Sequence, residues 1–154
     1  MRHACRIVAL AVLVGCRAPA PITPRVAIGA LQHGLDSFLA GHPLAKDAEI
    51  RADLLQRMSG ASVHVVQVRG RERPHRHMEH DLVVEVLRGD GVLTLAGTAI
   101  PMRAGDSVAV PRGTAHWFAS TPGSLSVALA TFAPPLDAPD MAPVADVDSP
   151  TDRR

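Results

Sequence analysis

The sequence predicts an all-β domain, a small β-sandwich or barrel with a short helical segment ahead of it. Three observations carry that prediction. From Ser62 to Phe132 short apolar runs rich in β-branched residues recur, as strands with a buried face do. Turn formers separate them, at Gly70, Arg88-Gly89-Asp90-Gly91, Arg103 to Asp106, Arg112-Gly113-Thr114 and Pro122-Gly123. A length of 154 residues suits one domain with a real core.

The first element is an address. Arg2 and Arg6 precede an apolar run from Ile7 to Val14, the pattern of a secretory signal. The run is far shorter than the roughly 20 residues that span a bilayer. It ends in Leu13-Val14-Gly15-Cys16, which resembles a bacterial lipobox. That resemblance implies a signal over residues 1–15, cleavage before Cys16 and lipidation of its thiol. Cys5 and His3 would leave with the signal, so no disulfide pair remains. Residues 16–25, with Pro19, Pro21 and Pro24, read as an extended tether. The expected location is a bacterial membrane, facing the periplasm. Arg17 in place of the Asp that marks inner-membrane retention favours the outer one.

The domain is expected over residues 26–133. Ile28, Leu31, Leu35, Phe38 and Leu39 lie at helical spacing within 26–41, which predicts a short amphipathic helix ending at Gly41. Residues 48–58 fit helix or strand equally. Strands then follow at Ser62–Val68, Asp81–Leu87, Val92–Gly97, Thr98–Met102, Ser107–Pro111, His116–Ser120 and Leu125–Phe132. Asp90-Gly91 reads as a hairpin turn. From Pro134 the chain carries five prolines and five aspartates, and residues 134–154 are expected to be a solvated extension.

Composition excludes some functions. The net charge is +1, from 16 basic and 15 acidic side chains, so nothing calls for nucleic acid. One Trp, three Phe and no Tyr leave little for a base-stacking platform. The histidines point elsewhere. In "PHRHMEHD", residues 74–81, His75 and His77 flank one residue and share a face if extended. Two imidazoles aimed together suit Zn, Cu, Fe or Ni, and mixed nitrogen and oxygen ligation admits Mn. Taken alone, the pair also fits a polar loop. It is joined by Gly105, Pro111, Gly113 and His116.

With those residues the chain resembles the cupin superfamily, whose two motifs read G-x5-H-x-H-x(3,4)-E-x6-G and G-x5-P-x-G-x2-H-x3-N. Gly105, Pro111, Gly113 and His116 match the second, with Ser120 in place of Asn. His75, His77 and Gly89 match the first, and Gly70 stands one residue too close. The resemblance covers about 62–132. It implies a jelly-roll β-barrel with His75, His77 and His116 on one divalent metal and a small-molecule ligand or substrate. Dioxygenase, decarboxylase or isomerase chemistry is implied as readily as a non-catalytic sensor or binding module. A homodimer is left open.

The fourth ligand is where the chain departs from the family. Seven residues before Gly89 stands Leu82, which cannot bind a metal. Counting from the histidines selects Asp81, which reaches the metal only if the strand bulges. His80 is the alternative, with the parity of Leu82. Glu79 and Glu85 have outward parity. Leu82, Val84, Val86, Val108, Val110 and Phe118 are expected to line an apolar pocket. Trp117 is expected to pack away from it, His64 to have no ligand role, and His33 and His42 to lie on the surface.

Overall fold

The computed structural model describes residues 25–28 and 31–145, with side chains from Leu35 onward. The leader, Cys16, the tether up to residue 24 and residues 146–154 lie outside the described residues, as does the side chain of His33.

A short hairpin, β1 (Arg25–Ile28) and β2 (Leu31–Gly34), leads into α1 (Leu35–Gly41). The helix expected over 26–41 is therefore seven residues long. Apolar positions three and four apart suit a hairpin edge as well as a helix, and Gly29 and Gly34 disfavour the helix by about 1 kcal/mol each. From Leu35 the helical spacing holds. Leu35 is fully buried on Val65 and Val127, flanked by Phe38 and Leu39.

The remaining strands are β3 (Ile50–Arg57), β4 (Ser62–Val68), β5 (His75–His77), β6 (Asp81–Arg88), β7 (Asp90–Leu95), β8 (Thr98–Arg103), β9 (Ser107–Val110), β10 (His116–Ser120), β11 (Ser126–Ala133) and β12 (Met141–Pro143). They form two five-stranded antiparallel sheets. One runs β12-β5-β10-β7-β8 and the other β3-β4-β11-β6-β9. Sequence neighbours β6 and β7 thus belong to different sheets. The glycines at 89–91 form a corner between sheets, not the hairpin turn that Asp90-Gly91 suggests. Gly89 takes a positive φ of 78° there. Gly91 lies so close to β10 that a Cβ would stand 2.2 Å from the Ala119 carbonyl oxygen. The hairpin turn is one step on, at Ala96-Gly97, where φ is 49° and 80°. Two central residues of positive φ match the right-handed twist of the strands.

Alternation on β6 sets the inner wall. Leu82 and Val86 are buried and Val84 is half-buried, while Asp81, Val83 and Glu85 are exposed. With Val110, Ala130 and Phe132, Leu82 forms one core cluster; Val86, Leu93 and Met102 form another.

The chain does not leave the barrel at Pro134. Leu136 N–H donates to Ser62 Oγ at 2.9 Å, and β12 pairs with β5, Met141 opposite His77 and Pro143 opposite His75. The expectation of a solvated extension fails over residues 134–145. Polar, proline-rich composition predicts too little apolar area for a core, yet this segment needs none of its own, because it adds a strand to an existing edge.

Candidate metal centre

The short strand β5 holds His75 and His77 on one face, and His116, first residue of β10, stands directly opposite His75. A backbone bond from Gly113 N to the His77 carbonyl, 2.6 Å, ties the turn before β10 onto β5. Pro111 and Gly113 act here, by shaping that turn: Thr114 N–H donates to Pro111 O, and Gly113 has φ of 76°. The three rings lie with centroids 4.4 to 5.4 Å apart and are all buried. One ligand atom from each lies within 4.8 Å of the others.

The outer nitrogens are held. His75 Nδ1 meets the Arg73 carbonyl at 2.8 Å, and His116 Nδ1 meets the Thr114 carbonyl at 2.9 Å. His77 Nδ1 meets Asp140 Oδ1 at 2.6 Å. A carbonyl or an ionised carboxylate only accepts, so each Nδ1 carries the proton. The lone pairs of the three Nε2 atoms are left to converge. This is the arrangement that orients ligating histidines, and the donor set fits a divalent ion. Electrostatics agree. Burial pushes the His116 imidazole down to about 4, against the Thr114 carbonyl, and the neighbouring His75 and His77 add to the effect. Burial lowers His77 too, although Asp140 opposes it. Neutral imidazole is the form that binds metal.

Asp81 is not part of this group. β6 runs without a bulge at its start, pairing Asp81 with Ala133 and Leu82 with Phe132, so Asp81 keeps its outward parity. Its carboxylate accepts from Arg112 N, Nε and Nη2, the last at 2.8 Å. Those bonds hold its carboxyl down at about 2. His80 is buried but also stays out of the cluster. Its Nδ1 faces Asp140 Oδ2 at 2.5 Å and its Nε2 faces the Pro135 carbonyl at 3.2 Å, so neither nitrogen is free for a metal.

Sequence reasoning missed two carboxylates. Asp140 receives His77, His80 and the Glu79 N–H. Partial burial works against its charge, but these donors outweigh that and hold it down at about 2. Glu72 lies just ahead of β5. Its Oε2 accepts the Phe118 N–H at 2.9 Å, and its own N–H returns a bond to the Phe118 carbonyl. Burial raises its carboxyl above the usual range, against the pull of His75 and the Phe118 N–H. The visible signal for Glu72 was an acid three residues before the histidine pair. For Asp140 there was none.

The cluster opens into a cavity of about 610 Å³ between the sheets. Leu82, Val84, Val86, Val108 and Phe118 line it, as do His64 and Glu72. Val110 is buried but lies outside the lining. Phe132 packs edge-on against both His77 and His64, at 5.0 and 5.3 Å. His64 Nε2 bonds Ser62. Trp117 is buried, with the Arg71 guanidinium 5.3 Å from its ring centre. His42 stacks on Phe38 and is half-buried.

A β-barrel with a buried three-histidine cluster in the wall of a largely apolar cavity defines the class: a small barrel whose histidines could hold a metal ion. The chain belongs to the cupin family. The Cupin domain matches residues 62–131. An uncharacterized protein of Aquifex aeolicus is 38% identical over 92 residues, 60% of this chain and 75% of its own. Among solved structures, the nucleoside dehydratase Pac13 is 26% identical with a TM-score of 0.54, over 62% of this chain and 78% of its own; a structure of Streptomyces Pac13 holds uridine. The polyketide cyclase RemF of Streptomyces resistomycificus is 24% identical, TM-score 0.55, over 62% and 71%. KdgF from Halomonas sp. is 22% identical, TM-score 0.53, over 59% and 84%. The last two likenesses concern the fold alone.

Proposed function

We propose that this chain is an exported cupin, lipid-anchored through Cys16 and facing the periplasm from the outer membrane, that binds a divalent metal on His75, His77 and His116. We further propose that it catalyses proton-transfer chemistry, of the isomerase or lyase type, on a small and mostly apolar molecule. The observation that carries the reading is the set of three Nδ1 atoms held by acceptors, which leaves three Nε2 lone pairs converging. Among metals, an all-imidazole set favours Zn, Cu or Ni over Mn. Three protein ligands leave coordination positions open, as catalytic sites do, and a bound ion would polarise a substrate oxygen.

The chain's own groups support catalysis. Glu72 is fixed by the Phe118 N–H through one oxygen and lines the cavity beside His75. A carboxylate whose pKa is raised by burial can take and return a proton nearer neutral pH. The apolar walls from Leu82 to Val108 keep competing water out. Pac13, a dehydratase, performs chemistry of this broad kind on a related barrel. The rival reading is a non-catalytic receptor, and the nearly all-apolar wall is what favours it.

Metal content decides the first part. The full chain, extracted in mild detergent without added metal, should carry close to one equivalent by elemental analysis, and His77→Ala should carry none. Equal content in both defeats the metal reading. Fractionation decides the anchor: Cys16→Ser should leave the membrane pellet or accumulate unprocessed. Unchanged fractionation and processing would refute it.

A further inference from the structure

Residues 134–145 lie against the cavity as a strap. Leu136, Pro139, Asp140 and Met141 form part of the cavity wall. The strap is held mostly by polar contacts. Beyond β12 and the Ser62 bond, Val144 N–H donates to the Pro74 carbonyl at 3.1 Å, Arg57 pairs with Asp137 and Leu136 packs on the Leu82 core cluster, while Met141 is 54% exposed. An edge position and exposed polar contacts mark a segment that opens at lower free-energy cost than the central strands. One buried imidazole grips it twice, since His80 contacts both Pro135 and Asp140. Asp140 then joins the strap to the metal cluster, through His77 Nδ1.

We propose that this strap is a gate over the cavity, and that metal at His77 locks it through Asp140. The inference rests on the metal reading above. Asp140 is a positioning residue: it fixes the tautomer and ring orientation of His77 without touching the metal. A cation on His77 Nε2 draws electron density from the ring and makes Nδ1–H a stronger donor. Its bond to the Asp140 carboxylate is charge-assisted and tightens. Coupling of this kind is reciprocal. Metal binding closes the strap, and strap closure raises metal affinity by the same factor. Substrate then enters most easily while the strap is open, and is enclosed when metal and strap are both in place.

The test uses the full chain in detergent, with zinc alone as the probe. Zinc affinity is measured by competition with a chromophoric chelator, and strap opening by hydrogen exchange of peptides covering 135–145. In the parent, zinc should slow exchange across the strap. Asp140→Ala should lower zinc affinity about 10- to 100-fold and abolish the zinc-dependent protection. Asp140→Asn, which keeps the size and one acceptor, covers the case in which the alanine variant does not fold. It should lose affinity in the same direction, because its amide nitrogen cannot accept from the second imidazole. A merely structural role would alter exchange equally with and without zinc. Parent-like zinc affinity in Asp140→Asn, or strap exchange in the parent that ignores zinc, overturns the coupling alone. A parent that takes up no zinc overturns the metal reading and the coupling with it.

Discussion

Removing metal from this barrel should make its stability fall steeply in mild acid, and His116 sets the size of the effect. In the metal-free fold the His116 imidazole titrates at about 4, against 6.5 for an exposed ring. Between those values the unfolded chain holds the proton and the folded chain does not. Stability contributed by neutral His116 is therefore complete above pH 6.5 and is lost as pH falls toward 4. The whole window corresponds to roughly 3 kcal/mol, and the step from pH 7 to pH 5 to about 2 kcal/mol. The ring is 3% exposed, so solvent screening does little to reduce this.

Urea unfolding of chelator-treated protein at pH 7 and pH 5 measures it. His64 and His77 are also lowered by burial and add loss of the same sign, so the parent alone does not isolate His116. The comparison is with His116→Gln, which should lose about 2 kcal/mol less over the same interval, whatever its stability at pH 7. Equal losses in parent and variant would refute the argument that this ring is held neutral by the fold. With saturating zinc the parent should hold its stability to lower pH, because the ion occupies the lone pair that the proton would take.

Further outcomes follow from the same geometry. Asp81→Ala should bind zinc with parent affinity in a chelator competition, whereas His75→Ala should weaken it at least tenfold; a loss in Asp81→Ala would restore that residue to the ligand set. Gly91→Ala should destabilise the barrel by about 1–3 kcal/mol or more, since its Cβ would meet the Ala119 carbonyl and the Phe118 ring; a melting temperature equal to the parent's would count against that close approach. Deleting 134–154 removes Asp140 and β12 together, so zinc affinity should drop at least as far as in Asp140→Ala, and parent-like affinity would mean the strap is not part of the site.

Much of the fold was legible because its signals are local. The β-branched runs, their alternation on β6 and the glycine-marked turns each lie within a few residues, and strand geometry converts them directly into faces. His75 and His77 were legible for that reason, and His116 because the Pro111-Gly113 turn precedes it at a recognisable spacing. The errors arose where local signals are ambiguous or absent. Ile28 and Leu31 fit a helix or a hairpin equally well. Asp81 fits the spacing counted from the histidines, but face is decided by strand register, and the register is regular from Asp81 to Val86. Asp140 stands 63 residues from His77, in a segment whose composition argues against any role in the fold. No pattern within one segment could join those two residues.

The same departure that misled the ligand count also shapes what the site can do. A three-histidine, one-acid set brings a negative charge to a divalent ion; three neutral imidazoles bring none. Leu82 takes the inner position where an acid would otherwise stand, and it packs with Val110, Ala130 and Phe132 instead of facing the ion with charge. The carboxylates that remain lie outside the ligand set. Asp140 acts behind His77, and Glu72 lies near His75 with its pKa raised by burial. An ion held this way, as proposed above, would keep most of its charge in surroundings of low dielectric, where attraction to an anionic oxygen is several-fold stronger than in water. The ligand would then supply the charge that the first motif lacks. On that proposal the open coordination positions would suit an oxygen that is negative or becomes so during reaction, and the apolar walls would receive the rest of the molecule.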